Sequence, residues 1–158
     1  MGFGFPAALG AQFGCPEKKV WAVVGDGGFQ MTQPELATAS IHCLPTKCLI
    51  INNNFLGMVR QWQELFFENR LSGVDLVGNP DFVKLAQAYG VKAWRIRRPS
   101  DTDRILSQAH EYDEGPCVVV AEVVKEDNVF PMIPSGAPLS GMIIEKPKEK
   151  LAKPTGST

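Results

Sequence analysis

Two clusters of polar residues follow apolar runs of the sequence and carry side chains suited to bind a metal ion. The first is Gly25-Asp26-Gly27-Gly28, and the second is Asn52-Asn53-Asn54. Carboxylate and amide oxygens are hard ligands, which suit Mg²⁺ better than a thiophilic metal. Glycines beside Asp26 would let backbone N–H groups approach a phosphate closely. The residues therefore predict a Mg²⁺-bridged diphosphate site, with two ordinary tight turns as the alternative.

The elements that would position these clusters predict an α/β fold: a doubly wound, mainly parallel sheet with helices on both faces. Continuous apolar runs are typical of strands that are covered on both faces. Such runs occupy Lys19–Gly25, Lys47–Asn52, Lys92–Ile96 and Cys117–Val124. Helical patterns occupy the intervals, at Phe5–Phe13, Thr32–His42, Leu56–Asn69, Asn79–Gly90 and Ser100–Asp113. Ligands of such sheets bind outside the carboxyl ends of the strands, so we expect the two clusters to lie side by side there.

Local signals predict where three of these helices begin. Thr32 and Glu35 form a capping-box pattern, and Ser100 followed by Asp103 forms a similar one. Asn79-Pro80-Asp81 predicts a third start, for a helix that ends at Gly90 in the left-handed conformation that glycine favours.

The composition is that of a globular protein and excludes several classes of function. The 158 residues suffice for about one domain, with 44% hydrophobic and 21% charged residues. Sixteen basic and 17 acidic residues give a net charge of −1, which offers no electrostatic basis for binding nucleic acid or an anionic membrane. The four cysteines form no CxxC pair, which disfavours zinc and favours reduced thiols in a cytoplasmic protein, or in an organelle of a eukaryote.

The spacing of GDG and NN resembles the cofactor signature of the thiamine-diphosphate enzymes. More narrowly, the chain resembles the C-terminal, diphosphate-binding domain of the acetolactate synthase (acetohydroxyacid synthase) catalytic subunit. The stretches that carry the resemblance are MGFGFPAALGAQ, GDGGFQMTQPELATA, NNNFLGMVRQWQELFFENR, NPDFVKLAQAYG and NVFPMIPSGAP. We expect residues 1–144 to form this domain and residues 145–158, rich in Lys and Pro, to be a flexible tail.

The resemblance implies a role for particular residues. Asp26 and Asn53 would ligate Mg²⁺ through their side chains, and Phe55 would do so through its backbone carbonyl. The residues implied to contact the cofactor are Met1, Gly25, Asp26, Gly27, Gly28, Met31, Asn53, Gly57 and Met58. Trp62 would line the substrate channel. Packing in a core is the alternative role for Met31, Met58 and Trp62, and Arg60 and Gln61 are expected to be solvated.

The resemblance also implies an activity that needs more than this chain. Acetolactate synthases decarboxylate pyruvate on thiamine diphosphate and transfer the two-carbon unit to pyruvate or 2-oxobutyrate, in branched-chain amino acid biosynthesis. In that family a glutamate on a pyrimidine-binding domain activates the cofactor, and a middle domain binds FAD. This chain has neither domain and no catalytic residue of its own, so it is expected to be a fragment that is inactive alone. The parent would be a homo-oligomer, with a regulatory subunit as a further possible partner.

Two other functions remain open on the sequence. A sibling thiamine-diphosphate enzyme, either a 2-oxo acid decarboxylase or another carboligase, would share GDG and NN but is not expected to carry GMVRQWQ. A stand-alone, non-catalytic module that binds a nucleotide or diphosphate is the alternative from another class. A dinucleotide-binding fingerprint is disfavoured because Gln30 stands where the third glycine of GxGxxG would be.

Overall fold

The computed structural model describes residues 1–146, so residues 147–158 of the predicted tail lie outside the described residues. The chain divides into two compact units. Of the described residues, the first unit comprises 1–54 and 77–124, and the second comprises 55–76 and 125–146.

The first unit contains a four-stranded sheet in the order β1-β2-β4-β3, and every neighbouring pair is parallel. Its strands are β1 (Trp21–Gly25), β2 (Lys47–Asn52), β3 (Lys92–Ile96) and β4 (Cys117–Glu122). The expected parallel α/β sheet is therefore confirmed. Two predicted strands are shorter than expected: β1 begins two residues after Lys19, and β4 ends two residues before Val124.

Helices cover both faces of this sheet. The helices of the first unit are α1 (Gly4–Gly14), α2 (Asp26–Gln30), α3 (Glu35–Ile41), α5 (Phe82–Ala88) and α6 (Thr102–Glu111). On one face, helices α1, α2, α3 and α5 pack on inward-pointing strand residues such as Ala22, Ile50 and Val118. On the opposite face, α6 packs through Ile105 and Ala109. The alternation of side chains along each strand separates the two cores.

Three aromatic rings fix the helices that flank the carboxyl edge of the sheet. Phe29 of α2 lies between Phe5 of α1 and Phe82 of α5, with ring centroids 5.4 and 5.7 Å away. All three rings are buried. Burial of each ring is worth about 2–3 kcal/mol relative to exposure. These contacts hold α2, which begins at Asp26, against α1 and against the start of α5 at Phe82.

Two of the predicted helix starts are wrong. Thr32 caps no helix: α3 begins at Glu35, and the buried Thr32 hydroxyl oxygen has no hydrogen-bond partner among the described residues. The reason is that α2 occupies the preceding residues, so Thr32 lies in the turn between two helices. Ser100 lies in a 3₁₀ turn, Pro99–Asp101, that leads into α6. The third start is confirmed, since the Asp81 carboxylate accepts hydrogen bonds from the N–H groups of Val83 and Lys84.

The second unit contains α4 (Gly57–Phe66) and an irregular chain around it. The expectation that Arg60 and Gln61 are solvated is wrong, because both are buried. Gln61 exchanges two hydrogen bonds with the backbone of Val129, at 2.9 and 2.8 Å. In the described part of the chain, no helix is both long and apolar enough to cross a membrane.

Candidate functional site

The two polar clusters of the sequence lie at neighbouring strand ends, as their spacing predicted. Gly25, the last residue of β1, is paired in register with Ile51 of β2. Asp26 follows Gly25 as the first residue of α2, and Asn53 follows directly after β2. Because β1 and β2 run parallel, both clusters emerge at the same, carboxyl edge of the sheet, where ligands of such folds bind.

Asp26 is a buried carboxylate with an unusual environment. Its residue is 1% exposed. Burial raises the pKa of the Asp26 carboxyl above its usual range, while hydrogen bonds from the Gly27 backbone, the Asn79 amide and the Asn54 backbone act in the opposite direction. An ionised carboxylate in such a place is costly unless positive charge accompanies it, so the site favours a bound cation.

The side chain of Asn79 joins the ends of three segments. Its amide nitrogen, Nδ2, lies 2.7 Å from Asp26 Oδ2, 3.2 Å from Asn54 Oδ1 and 3.4 Å from Asn52 Oδ1. Its oxygen, Oδ1, accepts a hydrogen bond from Gln30 Nε2. One carboxylate and two amide oxygens thus converge within hydrogen-bond distance of a single atom.

A chain of charged side chains continues from this cluster along the carboxyl edge. Asn52 Nδ2 donates to Glu122 Oε2 at 2.8 Å, across paired positions of β2 and β4. Glu122 in turn lies 3.6 Å from the Arg95 guanidinium, which also pairs with the cap residue Asp81. Together with Asn54, Asn79 and their neighbours, these residues line a polar cavity of about 300 Å³.

The structure places five other sequence-predicted residues of the first unit at or near this edge. Gly25 is exposed at the end of β1, while Gly27 and Gly28 lie in α2. Among residues 1–146, a Cβ built at Gly28 would meet only the backbone nitrogen of Gly2 within 4 Å, at 3.9 Å. Met31, which follows α2, is 56% exposed, and Met1 is 73% exposed. Met31 therefore does not fill a core, contrary to the packing alternative.

Gly2 brings the start of the chain against Met31. Gly2 has a φ of +78°, and a Cβ built there would lie 3.2 Å from the Met31 Cβ. Glycine is suited to this position because it adopts a left-handed conformation without steric cost and leaves room for the neighbouring residue. Met1, Gly28 and Met31 are thereby gathered beside the segment that carries Asp26.

Four predicted residues belong to the second unit. Phe55 is buried, and its ring lies 4.5 Å from Lys125 Nζ and 5.5 Å from the Arg60 guanidinium carbon. Gly57 and Met58 begin α4, and Met58 is 57% exposed, so Met58 is not a core residue either. Trp62 is half-buried on the same helix and packs against Phe66, with ring centroids 5.0 Å apart.

Asn79 is a site residue that the sequence analysis missed, since it was assigned only to a helix start. Its position before Pro80 and Asp81 predicted a helix start, which is correct for Asp81. The contacts of Asn79 with Asp26, Asn52 and Asn54 join residues that are far apart in the sequence. One sequence signal could have found Asn79: it is a polar amide just before the start of α5, and helix starts in such folds lie at the carboxyl edge of the sheet.

The donor set at this edge fits Mg²⁺. It consists of one buried carboxylate and neighbouring amide oxygens, which are hard ligands. Mg²⁺ in proteins characteristically takes one or two such ligands and completes its shell with substrate phosphates and water. Gly27 and Gly28, which follow Asp26, carry no Cβ, and this allows a phosphate to approach their backbone closely.

Comparison with known proteins places this geometry in a family. Residues 1–121 match the family model described as thiamine pyrophosphate enzyme, C-terminal TPP binding domain. The chain belongs to this family. Thiamine pyrophosphate is the same compound as thiamine diphosphate, so the resemblance drawn from GDG and NN is confirmed.

Within this thiamine-diphosphate family, the chain is similar to acetolactate synthases. It is 46% identical over 140 residues to the acetolactate synthase of Mycobacterium avium, covering 86% of this chain and 22% of that protein. It is 42% identical over 143 residues to the acetolactate synthase isozyme 2 large subunit of Escherichia coli, covering 90% of this chain and 26% of that one. The chain therefore spans about a quarter of the length of these relatives.

A solved structure supports the same fold. The thiamine diphosphate-dependent 4-hydroxybenzoylformate decarboxylase of Rhodococcus jostii superposes with a TM-score of 0.74 at 30% identity. The match covers 80% of this chain and 24% of that one. The parallel sheet of the first unit is thus the sheet of a thiamine-diphosphate-binding domain.

Proposed function

We propose that this chain is the magnesium- and diphosphate-anchoring domain of an acetolactate synthase. The observation that carries the proposal is the buried Asp26 carboxylate at the carboxyl edge, with the side-chain oxygens of Asn52 and Asn54, the two neighbours of Asn53 in sequence, converging beside it. The identity of 40–46% to acetolactate synthases over most of the chain selects this activity within the family. The substrates are then pyruvate and a second 2-oxo acid, pyruvate or 2-oxobutyrate.

The residues of the first unit bind and orient the cofactor in this proposal. Asp26 and Asn53 ligate Mg²⁺ through side-chain oxygens, and the backbone of Gly27 and Gly28 approaches the diphosphate. Met1 supports the bent conformation of the cofactor and Met31 lies against its rings, which would cover part of the exposed apolar surface of both side chains. Phe55, Gly57, Met58 and Trp62 keep the roles that the resemblance implies: a carbonyl ligand, two cofactor contacts and a substrate-channel wall.

Catalysis requires groups beyond this chain. Bound thiamine diphosphate supplies the carbon nucleophile and the electron sink for 2-oxo acid decarboxylation. We propose that the group activating the cofactor lies on a pyrimidine-binding domain of the parent, and that the FAD-binding domain, a second subunit and a regulatory subunit are further partners. The chain alone is then expected to form no acetolactate from pyruvate, Mg²⁺ and thiamine diphosphate. Acetolactate formed by the pure chain would contradict the proposal that catalysis needs other domains of the parent.

The test of cofactor anchoring is calorimetric titration of the chain with thiamine diphosphate, in Mg²⁺ and in EDTA. We expect binding only in Mg²⁺, and we expect Asp26→Asn to weaken it at least tenfold because a ligand charge is lost. Asp103→Asn, the same change at an exposed position of α6, should leave the affinity unchanged. Equal affinity for the chain and Asp26→Asn would overturn the proposal.

A second candidate is a 2-oxo acid decarboxylase of the same family. The superposition on a thiamine diphosphate-dependent decarboxylase favours it, although at 30% identity rather than the 42–46% found with acetolactate synthases. Both candidates use the same metal and diphosphate site, so the product decides between them. Acetolactate from pyruvate, made by the parent enzyme, supports the first candidate, and an aldehyde as the main product supports the second.

A further inference from the structure

The two amide protons of Asn79 Nδ2 determine which hydrogen bonds this side chain donates. An amide nitrogen carries two protons, but Asn79 Nδ2 has three oxygen neighbours. Asp26 Oδ2, at 2.7 Å, is the nearest and takes one proton, because a bond to a charged acceptor is the stronger one. The other proton is shared between Asn54 Oδ1 at 3.2 Å and Asn52 Oδ1 at 3.4 Å.

The orientation of the Asn79 amide is fixed by a hydrogen bond to its oxygen. Gln30 Nε2 donates to Asn79 Oδ1, which fixes the plane of the amide and directs Nδ2 toward the oxygens. Pro80 restricts the backbone of Asn79 to an extended conformation. Asp81, one residue further, caps α5, whose Phe82 is buried against Phe29. The position of Asn79 is therefore set by both its neighbours in sequence and its partner in α2.

A carboxylate held in this way suits a cation that demands strict geometry. Mg²⁺ requires near-octahedral ligands at about 2.0–2.1 Å, whereas Ca²⁺ accepts irregular shells at about 2.3–2.6 Å. The Asn79 amide limits rotation of the Asp26 carboxylate about its Cβ–Cγ bond, in concert with the backbone donors Gly27 and Asn54. Loss of that restraint would therefore weaken the binding of Mg²⁺ more than the binding of Ca²⁺.

We propose that Asn79 is a positioning residue of the metal site, which holds Asp26 in the geometry that selects Mg²⁺ over Ca²⁺. The inference rests on the proposed function, since it takes Asp26 to be a metal ligand. Asn79 acts through Asp26, and Gln30 acts through Asn79.

The experiment compares thiamine diphosphate binding supported by Mg²⁺ with binding supported by Ca²⁺, by calorimetry on the same chain. Removing the partner of a metal ligand commonly weakens metal binding about 10–100-fold. Asn79→Ala is expected to lower the Mg²⁺-supported affinity by about this factor and the Ca²⁺-supported affinity by less than about threefold. Gln87→Ala, which removes an exposed amide of α5, should change neither affinity.

A second variant keeps the inference testable if Asn79→Ala fails to fold. Gln30→Ala should shift the Mg²⁺-to-Ca²⁺ ratio in the same direction but less, and it should add little to Asn79→Ala in the double variant. An equal loss of both affinities would mark Asn79 as merely structural and overturn the inference. So would an unchanged ratio in both single variants. If the unsubstituted chain fails to bind thiamine diphosphate with Mg²⁺, the proposed function fails too; retained binding with an unchanged ratio removes only the inference.

Discussion

Gly4 lies so close to Val24 that a Cβ built on it would stand 2.7 Å from Val24 Cγ1. Gly4 begins α1, and Val24 is in the edge strand β1, one residue before Gly25. Val24 is β-branched and has little rotameric freedom to move away. The contact therefore sets how closely α1 approaches the strand that leads to Asp26.

The first prediction concerns that close approach. Gly4→Ala should lower the free energy of unfolding by about 1–3 kcal/mol, because the added methyl group overpacks the contact with Val24. Gly10→Ala is the control on the same helix, since a Cβ at Gly10 would meet nothing within 4 Å in the described part of the chain. It should stabilise by up to about 1 kcal/mol, as alanine favours a helix over glycine. Urea denaturation measures both, and equal effects would contradict the prediction.

The second prediction concerns acid stability. Hydrogen bonds from Lys19 and from the fully buried Lys47 lower the pKa of Asp113 to about 2. A carboxylate whose pKa is lowered on folding stabilises the fold above its unfolded pKa, about 3.9, and loses that contribution as the pH falls toward 2. The difference in unfolding free energy between the chain and Asp113→Asn should therefore be constant above about pH 5 and shrink between pH 4 and 2.

The measurement for this second prediction is urea denaturation at intervals from pH 2 to 6. Asp103→Asn, measured in the same way, gives the effect of the same substitution at an exposed position. An Asp113→Asn difference that grows on acidification would have the wrong sign and would refute the linkage.

The third prediction concerns the second unit. Arg60 is 4% exposed and donates to Glu64 Oε2 at 2.8 Å and to the Glu126 backbone oxygen at 2.5 Å. Arg60→Ala leaves the largely buried Glu64 without one of its cations, so we expect a loss of about 3 kcal/mol in unfolding free energy. Arg70→Ala is the control, since the Arg70–Glu68 pair is exposed and 3.9 Å long. Its loss should be below about 1 kcal/mol, and comparable losses would refute the argument.

The sheet could be predicted from the sequence because a continuous apolar run indicates a strand that is buried on both faces of the sheet. Strand β2 and strand β3 match the predicted ranges, and only the ends of β1 and β4 are shorter. What the sequence could not show is the burial of Lys47, the first residue of β2. Its ammonium is satisfied by Asp113 and by the Pro45 carbonyl, and the former contact exists only once the chain has folded.

Local patterns failed where another element competed for the same residues. The Thr32 capping box was wrong because the glycine-rich segment after β1, for which no helix was predicted, forms α2. Arg60 and Gln61 were expected in solvent because their partners near Val129 are remote in sequence. The position of Asp26 could be predicted from strand-end chemistry, whereas its contact with Asn79 needed the three-dimensional structure.

The most direct test of the magnesium site is a crystal structure of the chain grown with thiamine diphosphate and Mn²⁺, which replaces Mg²⁺ and scatters anomalously. We expect one strong anomalous peak within about 2.5 Å of side-chain oxygens of both Asp26 and Asn53, next to the diphosphate. A peak that contacts the diphosphate but lies beyond reach of Asp26 would contradict it.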